Sequence, residues 1–316
     1  MTQLSWSILN LNPCIDKNCY LDTEFKCGTL NRISKAIFNY AGKGLNQAII
    51  AARLGQLVTY FSFKGEGRSL AEEITHKEGI GLCEAETSAG VRTNIKIIDS
   101  VGQGTELNER GGPYSSDEKD ALLKAFMSKK AQIFSMAGSI PEGIEQDIYA
   151  QLIGRIKQTY PDAVIVLDSD GIALKEGIKA GPSLIKPNLR ELAGLIGTSE
   201  EDLSDDETLK KACMELSGQY HTSVICTLDE RGAIYAGKEG LFRAGIAKVK
   251  PKGFSGAGDT FLAAFLTARV SECLNVAEAL EFASRAAGAK VALEGTLLPS
   301  KEEIEQLPKV RAGLWE

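Results

Sequence analysis

Two hydrophobic periods alternate along the chain. Residues 4–12 open as an apolar run that stops at Asn12-Pro13, because Pro13 cannot donate to a sheet ladder; a strand followed by a loop carrying Asp16 is expected. Between Gly44 and Gly55 the apolar residues Leu45, Ala48, Ile49 and Ala52 recur at helical spacing, and residues 57–63 are rich in β-branched and aromatic side chains. The alternation continues with helices expected over 69–78, 117–129 and 144–158, strands over 131–137, 163–167, 183–185 and 223–227, and helices beginning near Asn188 and Asp205. Residues 257–269 and 276–293 carry apolar stripes and read as two long helices. Strands separated by helices of this length require right-handed crossovers and a mostly parallel sheet covered on both faces. The expected fold class is doubly wound α/β, as a single domain over 1–316.

Two stretches, 17–34 and 93–109, break this rhythm, with short alternating segments such as Thr93-Asn94-Ile95-Lys96-Ile97 and no helical period. They predict a small antiparallel sheet inserted beside the main one. Ligands of α/β proteins bind outside the carboxyl ends of the strands, so such an insert is placed as a lid.

With 316 residues, 43% of them hydrophobic, the chain can bury a large core in one α/β domain. A formal net charge of -6 without a basic run argues against attraction to nucleic acid or to an anionic membrane surface. The seven cysteines are odd in number and scattered, with no C-x-x-C pair, which disfavours a disulfide framework or a zinc cluster. Reduced thiols, no leader segment and no membrane-spanning run make a cytoplasmic location the expectation.

The densest chemical signal is Gly253-Phe254-Ser255-Gly256-Ala257-Gly258-Asp259-Thr260-Phe261, which leads directly into an apolar helix. Glycines there let backbone N–H groups converge at a helix amino end, where the dipole favours an anion. Asp259 fits two roles equally well by spacing. It can cap the helix, or it can take the proton of an acceptor hydroxyl while the amides of Gly256, Ala257 and Gly258 hold a transferring phosphoryl group. Neither a G-x-x-x-x-G-K-[ST] loop nor a G-x-G-x-x-G turn after the first strand occurs.

Ala41-Gly42-Lys43-Gly44-Leu45-Asn46 near the start and Gly256-Ala257-Gly258-Asp259 near the end together resemble the two signatures of the ribokinase-like (PfkB) carbohydrate kinase family. Intermediate segments match as well: Asn12-Pro13 with Asp16, Arg92-Thr93-Asn94, Thr105-Glu106-Leu107-Asn108-Glu109, Gly138-Ser139-Ile140-Pro141, Lys186-Pro187-Asn188 and Gly232-Ala233. Within the family the chain looks most like the 1-phosphofructokinase and tagatose-6-phosphate kinase branch.

That resemblance implies a sugar-phosphate substrate, ATP and Mg²⁺, with Asp259 as base and the Gly256–Gly258 turn as anion hole. It implies that Asp16, Gly42 and Asn46 bind the sugar, that Arg32, Lys43 and Arg92 hold its phosphate, and that Ser139 lies close to it. Guanidinium groups suit phosphate geometry. On the nucleotide side it implies Lys186, Asn188, Thr227, Asp229 and Gly232, together with Gly256 and Gly258. Asn188 and Glu191 would organise waters around Mg²⁺, and Asn188 could also cap the helix after Pro187. A homodimer through the lid sheet is implied too.

The chain departs from the family pattern at Ala41, where glycine is usual, at Gly253-Phe254 before the loop, and at Asp229, where a glycine commonly follows Ser-Leu. Asn46-Gln47-Ala48 and the ending Gly258-Asp259-Thr260-Phe261 look more like ribokinase, which keeps an unphosphorylated sugar open as substrate. A weakly catalytic, ligand-binding regulatory module is the third possibility.

Overall fold

The computed structural model describes residues 3–65 and 68–315. Among the described residues, fourteen strands form two sheets. The larger takes β1 (Ser5–Asn10), β4 (Leu57–Lys64), β5 (Gly81–Glu86), β8 (Ile133–Ala137), β9 (Val164–Asp168), β10 (Leu184–Ile185), β11 (Ser223–Thr227), β12 (Ala233–Gly237), β13 (Gly240–Ala244) and β14 (Ala312–Leu314). Its order is β14-β13-β12-β11-β10-β9-β8-β1-β4-β5, parallel from β11 to β5 and antiparallel from β11 to β14. The smaller sheet has the order β3-β2-β6-β7, from β2 (Cys14–Tyr20), β3 (Lys35–Ala41), β6 (Arg92–Ile98) and β7 (Gly104–Asn108).

The helices are α1 (Lys43–Arg53), α2 (Arg68–Lys77), α3 (Ser116–Ser128), α4 (Ile148–Thr159), α5 (Gly171–Gly177), α6 (Leu189–Ile196), α7 (Asp206–Tyr220), α8 (Ala257–Leu266), α9 (Val276–Val291) and α10 (Lys301–Gln306). They cover both faces of the large sheet. One core packs Leu45, Ile50, Phe261, Phe265 and Leu280 of α1, α8 and α9 under one face, and the other packs Leu122, Phe126, Leu152 and Leu209 of α3, α4 and α7 under the opposite face. Strand β8 is buried at every position, as a parallel strand covered on both sides must be. The doubly wound expectation therefore stands.

Four details differ from the sequence reading. Asp16 lies inside β2, not in a loop, because Pro13 ends the ladder of β1 while the chain turns at once into the other sheet. The small sheet is mixed, not antiparallel, since β2 pairs in parallel with β6. Its strand Lys35–Ala41, outside the 17–34 segment, runs straight into the Gly42 turn. The segment expected as one helix over 257–269 ends its regular part at Leu266 and widens into a π turn over Thr267–Ser271.

Candidate active site

A cleft of about 1010 Å³ opens between the small sheet, the carboxyl ends of the parallel strands and the amino end of α8. The small sheet contributes by parity. Alternate residues of a strand share one face, so Asp16 of β2 pairs with Asn94 of β6, Asn18 pairs with Lys96, and Lys96 pairs in turn with Glu106 of β7. Asp16, Arg92, Asn94, Lys96 and Glu106 all line the cleft.

Asp16 is buried and accepts from Asn94 Nδ2 at 3.1 Å and from Lys96 Nζ at 3.0 Å. The same ammonium reaches Ser255 Oγ at 3.1 Å, tying the lid to the glycine turn. Arg92 donates to the Glu109 carbonyl at 3.3 Å, but its Nε is buried with no partner among the described residues, as is Asn94 Oδ1 in the same cleft lining. A buried guanidinium N–H without an acceptor is costly unless a ligand supplies one.

At the opposite wall, Asp259 occupies the third position of α8. The N-cap is Gly256, which adopts φ 89° and gives no side-chain bond, so Asp259 does not cap the helix. Its Oδ2 accepts instead from Asn46 Nδ2 at 2.7 Å, and the carboxyl is buried. Burial, and then the negative charge of Asp168, push its pKa up to about 6, against the pull of Lys43, Lys186 and the Asn46 hydrogen bond. Such a carboxylate is ionised at neutral pH yet basic enough to accept a proton. The first helical bond runs from Thr260 N–H to the Gly256 carbonyl, and the Ala257 N–H turns back to the Phe254 carbonyl at 3.1 Å. The amides of Gly258 and Asp259 thus stand ahead of the helical ladder, and the Ala257 amide is diverted from an anion.

Gly42 approaches the first strand so closely that a Cβ would lie 2.5 Å from Asn10 Nδ2, at φ 131°. That turn starts α1 and delivers Lys43 and Asn46. Lys43 Nζ pairs with Asp168 at 3.1 Å and with Glu191 at 3.3 Å. Lys186 Nζ reaches the same Asp168 oxygen at 3.4 Å and faces Gly258, whose Cβ position lies 3.1 Å away. Asp168, fully buried at the end of β9, also accepts from Gln47 Nε2 at 2.9 Å, and Gln47 accepts from Ser135 Oγ at 2.7 Å. Burial opposes the charge on Asp168, but the two lysines outweigh it and hold its pKa below the usual carboxylate range. Burial likewise works against Lys43, whose pKa is nevertheless raised by Asp168, Glu191 and Asp259.

Asn188 and Glu191 form a reciprocal capping box at the start of α6, with Glu191 N–H to Asn188 Oδ1 at 2.7 Å and Asn188 N–H to Glu191 Oε2 at 2.9 Å. Thr227, Asp229 and Gly232 line the end of the cleft beyond Lys186. Asp229 adopts a left-handed φ of 49°, the conformation a glycine would take there without strain, which aspartate tolerates better than most residues.

The cleft collects most of the residues singled out from the sequence, with two exceptions. Arg32 is exposed in the 21–34 connection and does not line it. Ser139 stands behind the lining, where Asn12 Nδ2 donates to its Oγ at 3.0 Å. Asp168 and Lys96 are additions the sequence reading did not single out. Their signals were a carboxylate ending a buried strand and the parity of 92, 94 and 96.

The chain matches the model of the pfkB family carbohydrate kinases over residues 10–303. It is 29% identical over 307 residues to a 1-phosphofructokinase of Bacillus subtilis, covering 96% of this chain and 97% of that protein. Among solved structures it superposes on phosphofructokinase-2 of Escherichia coli in complex with substrates and products with a TM-score of 0.86 and 23% identity, covering 96% of this chain and 98% of that one. A Staphylococcus aureus protein described as a putative phosphofructokinase gives 0.78 and 26% identity, with 98% of each chain covered.

Proposed function

Because the chain belongs to the pfkB family of carbohydrate kinases, an ATP-dependent phosphotransferase family, we propose that it phosphorylates a hexose phosphate, fructose 1-phosphate to fructose 1,6-bisphosphate or tagatose 6-phosphate to its bisphosphate. The observation that carries this reading is the buried, partnerless Nε of Arg92 in the lid half of the cleft. Arg92 shares one face of β6 with Asn94 and Lys96, and a phosphate dianion held by the guanidinium would give that Nε its acceptor.

In this mechanism Asp16 and Asn46 orient the sugar, Lys96 holds Asp16 and Ser255 in place, Arg92 takes the existing phosphate, and Asp259 accepts the proton of the attacking hydroxyl. Charge developing on the transferred group is met by the Gly258 and Asp259 amides and by the α8 dipole, with Gly256 shaping the turn. Lys43, expected from the resemblance to hold the substrate's phosphate, is committed to Asp168 and Glu191 beside Lys186. We therefore assign Lys43 and Lys186 to the phosphates of the nucleotide, which extends over Asn188, Thr227, Asp229 and Gly232.

Mg²⁺ commonly reaches protein through its waters and the phosphates it bridges. Glu191 and Asn188, each already used in the α6 cap, suit outer-sphere contact of that kind. When bound, the ion supplies neutralisation of phosphate charge during transfer.

An ADP-release assay across fructose 1-phosphate, fructose 6-phosphate, tagatose 6-phosphate, ribose and fructose tests the assignment. Preference for a neutral sugar would overturn it. The ribokinase-like Gln47 gives that alternative little support, because Gln47 is fully buried between Ser135 and Asp168. The Gly253 departure does not speak for a regulatory module either: a Cβ there would lie 2.8 Å from the Gly295 and Leu293 carbonyl oxygens.

A homodimer through the lid belongs to the same proposal. Phe38, Lys17, Ile95 and Leu107 form one row across the small sheet on the face turned from Asp16, and Phe38 and Leu107 are more than half exposed. Light scattering of Phe38→Asp should show monomers where the parent chain shows dimers.

A further inference from the structure

Lys290, in the last turn of α9, is fully buried. Its ammonium donates to the Gly295 carbonyl at 2.9 Å, and among the described residues no carboxylate pairs with it. Burial, and then the charge of Lys96, bring its pKa down to about 8. A methionine could fill such a space without a desolvation penalty, so the charge itself needs a reason.

The neighbouring backbone supplies one. The Val291 carbonyl accepts the N–H groups of Lys252 at 2.8 Å and Gly253 at 3.2 Å, which fastens the entry of the glycine turn to the end of α9. The Leu293 and Gly295 carbonyl oxygens converge on Gly253 from the same side, each 2.8 Å from its Cβ position. The Val291 carbonyl is satisfied by those amides, whereas the Leu293 and Gly295 carbonyls are directed at the segment that leads into Gly256–Asp259, at a helix carboxyl end where the dipole adds further negative potential. Converging carbonyl dipoles repel one another unless a cation lies against them.

We infer that Lys290 is a tethered cation whose ammonium holds the Gly295 carbonyl behind the glycine turn, where a free monovalent cation would otherwise lie against it, and so positions the Gly258 amide and Asp259 for transfer. It touches no reacting atom and is a positioning residue. The inference rests on the reading of that turn as the phosphoryl-transfer site.

The test is steady-state kinetics of the intact chain with the phosphosugar that supports turnover, on the parent and on Lys290→Met and Lys290→Ala, with folding checked by thermal unfolding. Folded Lys290→Met should lose roughly 10–100-fold in kcat, the penalty of a small misplacement of catalytic groups. Ammonium or methylammonium chloride should restore part of kcat to Lys290→Ala, where the space is open, and none to Lys290→Met. The parent rate should be the same in potassium, sodium and tetramethylammonium chloride. A parent-like kcat in Lys290→Met, no recovery in Lys290→Ala, or a parent rate that changes several-fold between potassium and tetramethylammonium each overturns the inference. The last of these needs no variant to fold. A parent chain that turns over no sugar overturns the kinase reading first, and this inference with it.

Discussion

Asn46 Nδ2 donates to Asp259 Oδ2 at 2.7 Å, joining two turns 213 positions apart in sequence. The contact orients the carboxylate, and Gly256 has already taken the N-cap of α8, so Asp259 is released from the local role its spacing allowed. Asp259→Asn should therefore fold, with relief of the repulsion from Asp168, and should bind nucleotide as before. Its kcat should fall by roughly 10²–10⁴-fold, the range of a general base. Turnover numbers together with nucleotide titration of the variant check this.

The pH dependence follows from the same carboxyl. Its pKa stands at about 6, above the ordinary value of 3.8, and the base works only when ionised. The rate kcat/KM should rise through about pH 6 to a plateau and fall about tenfold per unit below it. The stability sign is opposite. A carboxyl whose folded pKa is raised favours the folded state at low pH, and that contribution is lost as pH rises from about 4 through about 6. Asn46→Ala removes a hydrogen bond to the ionised form, so the acidic limb should move to higher pH; a pH–rate profile reads it directly.

Arg92 gives the substrate test. Loss of charge-assisted hydrogen bonds to a phosphate costs about 2 kcal/mol, or about 30-fold. Arg92→Ala should raise KM for the phosphosugar by that order while leaving KM for ATP and for a neutral sugar unchanged. Parallel Michaelis plots with fructose 1-phosphate and fructose separate the cases.

How much of this was legible in the sequence depended on how local the cause was. Strand β11 was read with its bounds intact, because a β-branched run between turns needs no tertiary information. The antiparallel edge, β12 to β14, was not read, since Gly240 and the distant Ala312–Leu314 acquire strand character only through their partners. In the site, the glycine turns were visible because backbone conformation writes itself into composition. Asp168 was not, because its role comes from Lys43 and Gln47 of α1 and Lys186 after β10 meeting it from distant parts of the chain.

Asp168 is also where the electrostatics of the cleft can be tested without touching substrate. It is buried, neutralises two lysines and is the second largest cause of the raised pKa of Asp259. In Asp168→Asn both ammonium groups lose their anionic partner, while Asp259 loses a repelling charge and keeps Lys43 and Lys186. Two consequences run in opposite directions. Stability should drop by about 3–5 kcal/mol, the cost of breaking a buried pair on one side, as chemical denaturation would measure. The acidic limb of kcat/KM should shift below pH 6, opposite to the shift in Asn46→Ala. A limb that stays at about 6 in Asp168→Asn would mean that burial raises Asp259 without help from the Asp168 charge.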